Sequence, residues 1–307
     1  MKPVRSLKEI PELVKSGCFK ARIAVVVAED DNTFDAVVKA TNESIIDPIL
    51  IGDEQKIRKM AEDRGFKVRQ SMLVHTSDHN YAASTGVKMI RNGEADILMK
   101  GLISSSVFLK AILDKESGIL VNGKTLSYAC AIELPSYPKL LIVSDTAVLP
   151  YPTTAQLSQM IGYASQLAKE LDIDSPKIAL IGANEKKEGN FRYSKSYHEI
   201  MMQQKEGFFD DAIIDGPLDI FLACDPESVR IKGVDTPVNG EADILIFPTL
   251  ESCNPFYKSL MLFGNGTLAG YLMGTTHPVV FMSRSENFAS KYYSIALAVL
   301  SAMHKKM

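Results

Sequence analysis

Cysteine is scarce in this chain of 307 residues: four occur, Cys18, Cys130, Cys224 and Cys253, with no CxxC spacing among them. That scatter offers neither a zinc site nor a disulfide framework and fits a reducing compartment. Of the five histidines only His75 and His79 stand four apart, and no carboxylate cluster accompanies them as in a metal-binding helix. No run approaches the roughly 18 uninterrupted apolar residues of a membrane span. The opening MKPVRSLKEIPELVKSG has no apolar stretch of the kind a secretory signal carries. The formal net charge is -3 and no Lys/Arg-rich block is present, which argues against nucleic acid, because binding to a phosphate backbone needs an extended basic footprint. The expectation is a soluble, cytoplasmic protein with no metal, no nucleic acid and no membrane among its partners.

What the chain has is ordinary globular composition, 46% apolar and 23% charged, over a length that favours two hydrophobic cores and a cleft between two lobes. Short β-branched runs alternate with amphipathic stretches: RIAVVVAE, then a helical pattern from Thr33 to Ser44, PILIG, EQKIRKMAEDRG closed by Gly65, a helix that Ser77 could cap, and ADILM. TLSYACAIEL and KLLIVSD follow with only PSYP between them, too short for a parallel crossover, so they read as an antiparallel pair. The alternation then restarts with a helix from Thr154 to Leu171, KIALIGA, a helix around His198 to Lys205, AIIDG, ADILIFP, a helix after Asn254, PVVFM and a long helix from Asn287 to His304. This is an α/β pattern: two domains with mostly parallel sheets and helices on both faces. Approximate boundaries are 1–130 plus 273–307 for one domain and 131–272 for the other.

In such sheets ligands bind beyond the carboxyl ends of strands, where helix N-termini present free N–H groups to anions. Three junctions qualify. After ADILM come Lys100, Gly101, Leu102, Ile103 and then Ser104, Ser105 and Ser106: a point charge, a residue that permits close backbone approach, and hydroxyl donors. A Ser-capped helix with a surface lysine fits the same residues. After ADILIFP, Glu251, Asn254 and Lys258 crowd a helix mouth if Asn254 caps and Pro255 is the first helical residue; a surface Glu-Lys pair with an ordinary cap is the plainer account. After PVVFM come Ser283 and Arg284. Ser283 and Glu286 have capping-box spacing, whereas a guanidinium directly after a parallel strand is placed to hold phosphate or an oxyanion.

In this order, ADILMKGLISSS with FLKAIL, PKIALIGANE, IIDGPL, the stretch from Ile231 to Lys258, and HPVVFMSRS with KYYSIALA resemble successive blocks of the phosphate acetyl/butyryl transferase family, most of all its butyryl branch. The resemblance implies a fold similar to the isocitrate/isopropylmalate dehydrogenase-like architecture, a homodimer, and transfer of a short acyl group between coenzyme A and inorganic phosphate. Coenzyme A would then be substrate or product, with no tightly bound cofactor. By the same resemblance Lys100, Gly101, Ser104 to Ser106, Glu251, Asn254 and Lys258 bind substrate, and Ser283 and Arg284 act on the charge that develops in the reaction. Departures from the family pattern are Thr249 and Cys253 within its Asp-Ile-Glu-Ala-Gly-Asn run, Phe221 in place of a second Asp after DGPL, and Ser290 where acetyl members carry an acid proposed to accept the thiol proton. The general base is therefore unassigned.

Phosphate is already a nucleophile at neutral pH, so the chemistry asks chiefly for two anions held together and a stabilised oxyanion. A covalent scheme would use Cys253 at the expected helix mouth. Other readings are a metal-dependent decarboxylating dehydrogenase of similar fold, an acyl-carrier-protein-dependent phosphate acyltransferase, and a catalytically weak acyl-CoA or acyl-phosphate binding protein.

Overall fold

The computed structural model of the chain describes residues 2–186, 190–284 and 286–306. They divide into two units: Leu7–Lys124 with Leu268–Met307, and Met1–Ser6 with Thr125–Thr267.

The first unit opens with α1 (Glu9–Ser16), β1 (Ala21–Val26), α2 (Asp31–Asn42), β2 (Ile46–Gly52), α3 (Glu54–Glu62), β3 (Leu73–His75), α4 (His79–Arg91), β4 (Ile97–Lys100) and α5 (Ser105–Ile112). Helix starts are set by side-chain oxygens that satisfy first-turn amides. Asp30 accepts from Thr33 N, and Asp78, rather than the expected Ser77, accepts from Asn80 N and Tyr81 N. The Asp78 carboxylate also suits the positive end of the helix dipole.

The second unit carries β5 (Ser127–Glu133), β6 (Leu141–Ser144), α6 (Thr154–Glu170), β7 (Lys177–Ile181), α7 (Ser194–Lys205), β8 (Ile213–Leu218), α8 (Ile220–Cys224), α9 (Pro226–Lys232), β9 (Ile244–Ile246) and α10 (Leu250–Leu262). Its strands run in the order β5-β6-β9-β7-β8. The pair β5 and β6 is antiparallel, as the short link of residues 134–140 around PSYP requires, and the remainder are parallel. Val4 N donates to Leu171 O, and Ser6 Oγ donates to Glu133, which ties residues 4 and 6 to this unit.

The chain then returns to the first unit as β10 (Thr267–Met273), β11 (Val279–Val280) and α11 (Phe288–Lys306). The order there is β3-β2-β1-β4-β11-β10, parallel through β11, with β10 antiparallel to it. In β1 and β4 consecutive residues are buried, with Arg22 the exception, which requires cover on both faces. α11 packs against α1 and α2, and α4 packs against α5. Arg22 donates through its backbone and guanidinium to Asp96 and so locks the register of β1 on β4 at their start.

β10 escapes a pattern search because it follows a loop and turns back beside β11, which breaks the strand-helix alternation. No helix among the described residues is long and apolar enough to cross a membrane.

Candidate active site

The carboxyl ends of three neighbouring parallel strands, β1, β4 and β11, meet at one end of the first unit's sheet. Each leads into a helix. The crossing of β1 and β4 is tight: Gly101 N donates to Val26 O at 2.9 Å and Leu102 N to Val27 O at 2.7 Å. A Cβ on Gly101 would lie 2.2 Å from Val27 O, so only glycine fits. Val27 itself has φ 56, a conformation that a β-branched residue adopts only under constraint, and such constraint collects at functional sites.

Lys100 ends β4 at this crossing. It is not the surface lysine of the plainer reading: only 4% of it is exposed. Among the described residues its Nζ has a distant hydrogen bond to Gly101 O, 3.4 Å, and lies 6.0 Å from the Phe281 ring centroid, with no carboxylate paired to it. Burial, helped by the nearby charges of Arg284 and Lys291, lowers its pKa from 10.5 to about 8, against a smaller opposing pull from Asp30. Ser104 caps α5 by accepting from Val107 N at 3.3 Å and contacts Ser106 Oγ at 3.1 Å. Ser105 and Ser106 are exposed at the helix N-terminus, so the cap and an anion-binding mouth coexist.

Beyond β11 stand Ser283 and Arg284, both exposed. The capping box that the spacing of Ser283 and Glu286 allowed is not the start of the helix. α11 begins at Phe288, Asn287 Oδ1 accepts from Ser290 N at 2.8 Å, and Asn287 O accepts from Lys291 N. Ser283 and Glu286 thus lie in the preceding turn, which Asn32 of α2 reaches by donating to Glu286 O. Ser290 is fully buried and its Oγ accepts from Leu268 N of β10, so it is bound into the sheet.

Two residues of this cluster carry no local signal. Lys291, 2% exposed in the first turn of α11, donates to Asp30 Oδ1 and Thr33 Oγ1, both at 2.9 Å. Burial would raise the Asp30 carboxyl, but hydrogen bonds from Thr33 and Lys291 outweigh it and hold the group below the usual carboxylate range. A lysine in an amphipathic helix reads as solvent-facing; its burial shows only when the β1–α2 turn is brought beside it.

In the second unit, α10 begins at Leu250, one turn before the expected start. Thr249 caps it by accepting from Ser252 N, and Asn254 and Pro255 lie within the helix. Asn254 instead donates through Nδ2 to Thr146 O, 2.8 Å away, in the loop after β6. Glu251 accepts from Tyr151 Oη, and Tyr151 lies under the Arg192 guanidinium, 4.7 Å from the ring centroid. Lys258 is exposed, two turns into α10 rather than one. Cys253 is fully buried, and burial pushes its thiol well up. A buried thiol that resists ionisation is a poor nucleophile.

Of the residues named from sequence, Lys100, Gly101, Ser104 to Ser106, Ser283 and Arg284 belong to the first unit, and Glu251, Asn254 and Lys258 to the second. Among the described residues no group of three or more His, Cys, Asp or Glu is placed to share a metal ion. His75 ends β3, its Nδ1 accepting from Glu54 N.

A phosphate butyryltransferase of Clostridium beijerinckii is 33% identical over 300 residues, 98% of this chain and 96% of that protein. A phosphate acetyltransferase of Thermotoga maritima is 32% identical over 281 residues, 92% of this chain and 95% of that protein. The crystal structure of a branched-chain phosphotransacylase from Enterococcus faecalis V583 superposes with a TM-score of 0.79 at 30% identity, covering 92% of this chain and 99% of that one. The profile of the family described as Phosphate acetyl/butaryl transferase matches residues 77–299, which hold Lys100, Arg284 and Lys291. The chain belongs to that family.

Proposed function

We propose that the protein is a phosphate acyltransferase that moves a short acyl group, butyryl or a branched chain of similar size, between coenzyme A and inorganic phosphate. The observation that carries this reading is the buried, carboxylate-free Lys100 at the mouth of α5, with Arg284 close enough to depress its pKa. Two cations that repel each other are tolerated where an anion is to lie between them. Lys100 and the Ser104 to Ser106 mouth hold phosphate, and Arg284 with Ser283 stabilises the oxygen of the thioester as the tetrahedral adduct forms. Lys258, an exposed ammonium for which the described residues offer no carboxylate within salt-bridge distance, is a further cation for the phosphates of the substrates, and Glu251 and Asn254 order its helix.

Relatives described as butyryl, acetyl and branched-chain enzymes bracket the acyl group, and the identity to the butyryl enzyme over nearly the whole chain supports the longer acyl groups. The protein acts as a cytoplasmic homodimer without a bound cofactor. The test is release of free thiol from acetyl-, propionyl-, butyryl- and isobutyryl-CoA, with and without phosphate and with EDTA. Phosphate-dependent, EDTA-insensitive release favouring butyryl or isobutyryl is expected. Equal or better use of acetyl-CoA removes the acyl preference, and no release from any of the four leaves a binding protein.

A further inference from the structure

The proposed reaction needs a group that gives the departing thiolate a proton and, in reverse, takes one from the thiol. Position 290 cannot supply it, because the Ser290 hydroxyl is buried and bound to Leu268 N. Among the described residues, the titratable groups whose charges bear on Lys100 come from two further elements beside its own strand. Asp30, before α2, is clamped by Thr33 and Lys291 and stays ionised. Lys291, on α11, spends its ammonium on Asp30 and Thr33. Arg284, before α11, is a guanidinium that does not give up its proton in a protein. Lys100, on β4, is left. It is almost wholly buried, without a carboxylate partner among the described residues, and its amine has no hydrogen bond shorter than the 3.4 Å contact to Gly101 O.

From this geometry we infer that Lys100 is the proton donor and acceptor for the coenzyme A sulfur, a role beyond anchoring phosphate; the inference rests on the acyl transfer proposed above. A phosphate oxygen attacks the thioester carbonyl carbon and forms the new C–O bond. Collapse of the adduct breaks the C–S bond, sulfur leaves with the bonding pair, and Lys100 Nζ hands it a proton. The neutral amine takes the proton that hydrogen phosphate loses on becoming the acyl phosphate. Thioester and hydrogen phosphate thus give acyl phosphate and thiol, and Lys100 ends as it began. A lysine held near pH 8 can do this in both directions. The other two cations keep it from holding its proton too tightly, and the opposing pull of Asp30, which is paired with Lys291, is smaller.

The experiment is the pH dependence of kcat/KM for phosphate in the direction of acyl-CoA plus phosphate, for the wild type and Lys100→Arg. Wild-type kcat/KM should fall as pH rises through about 8, since that ratio reports the phosphate-free site and the donor is then lost. Lys100→Arg keeps the positive charge without a transferable proton: the phosphate KM should stay within a few-fold, turnover should drop roughly a hundredfold, and the alkaline fall should vanish. Titration of the 13C-dimethylated lysines of the wild type by NMR, with the Lys100 signal assigned from its absence in Lys100→Arg, should show one midpoint near 8. Near-normal turnover in Lys100→Arg, an alkaline fall unchanged in that variant, or a Lys100 midpoint at the ordinary 10.5 overturns the inference while the activity itself stands. A wild type that releases no thiol at any pH overturns both.

Discussion

The Lys291 ammonium lies 2.9 Å from Asp30 Oδ1, joining residues 261 positions apart and pinning the first turn of α11 to the start of α2. Removing one partner of a buried pair leaves an uncompensated charge, at a cost of about 3–5 kcal/mol. Lys291→Met should fall at the lower end of that range, since Asp30 keeps some exposure. The Asp30 carboxyl is held below its usual range, so its contribution to stability is complete above the unfolded value of about 3.9 and disappears as pH falls through the lower folded value. Chemical denaturation between pH 5 and pH 2 should therefore show a shallower acid-side loss in Asp30→Asn than in the wild type.

If its guanidinium acts on charge that develops in the transition state, as proposed, Arg284→Ala should lower turnover by roughly a hundredfold or more with secondary structure and melting temperature unchanged. Arg284→Lys should recover little of it. Asn287, not Ser283, caps α11, so Asn287→Ala should cost about 1 kcal/mol of stability. Any loss of turnover in Ser283→Ala then reports on chemistry, and a stable, fully active Ser283→Ala would remove that residue from the mechanism.

Lys100→Met should trade activity for stability. The folded state lowers the pKa of this lysine from 10.5 to about 8, a difference worth about 3 kcal/mol. Below pH 8 the folded protein bears the full cost of a buried ammonium; between 8 and 10.5 the unfolded chain binds more protons and the cost fades. The variant should thus unfold at higher denaturant than the wild type at pH 7, with the advantage shrinking as pH approaches 10.5, while turnover is lost. Equal stabilities at pH 7 would show that Lys100 sits in water.

Gly101→Ala places a methyl group 2.2 Å from the Val27 carbonyl oxygen, a backbone atom that cannot rotate away. Overpacking costs typically about 1–3 kcal/mol, and here it also spreads β1 from β4 beside Lys100. A lower melting temperature together with a raised phosphate KM is expected; an unperturbed variant would mean that the crossing is looser than described.

Cys253→Ala should retain turnover within a few-fold, and iodoacetamide should leave Cys253 unmodified in the folded protein, since the side chain is buried and its thiol resists ionisation. A variant without turnover, with an acyl group trapped on Cys253 in the parent, would restore the covalent scheme.

The parts of this site legible in the sequence are those that obey a local rule. Lys100 ends one strand of a parallel sheet and Arg284 lies four residues beyond another, at the end where such sheets bind ligands, and the antiparallel pair β5 and β6 was fixed by the shortness of PSYP. Asp30 and Lys291 were not legible, because each reads locally as a helix cap and a solvated helix face; what makes them a buried pair is the packing of α11 on α2. The cap read at Asn254, and those weighed at Ser77 and Ser283, failed for a shared reason. Several residues at each helix start could cap, and which one does depends on the angle at which the chain leaves the strand. Asn254 is the clearest case: its amide was drawn instead to the Thr146 carbonyl.

β11 contributes two residues, yet it lies between β4 and β10. During synthesis on the ribosome the segment 7–124 emerges first, the unit built from 125–267 next, and β11 with α11 afterwards. Until that last segment arrives, β4 has a bare edge where β11 will pair, and Lys100 has neither Arg284 nor Lys291 beside it. A nascent chain halted before β11 would hold an open sheet edge, which invites pairing with another chain. The acyl-transfer site is therefore the part of the molecule whose assembly must wait longest, and chaperones that guard nascent β edges are of most use to it in that interval.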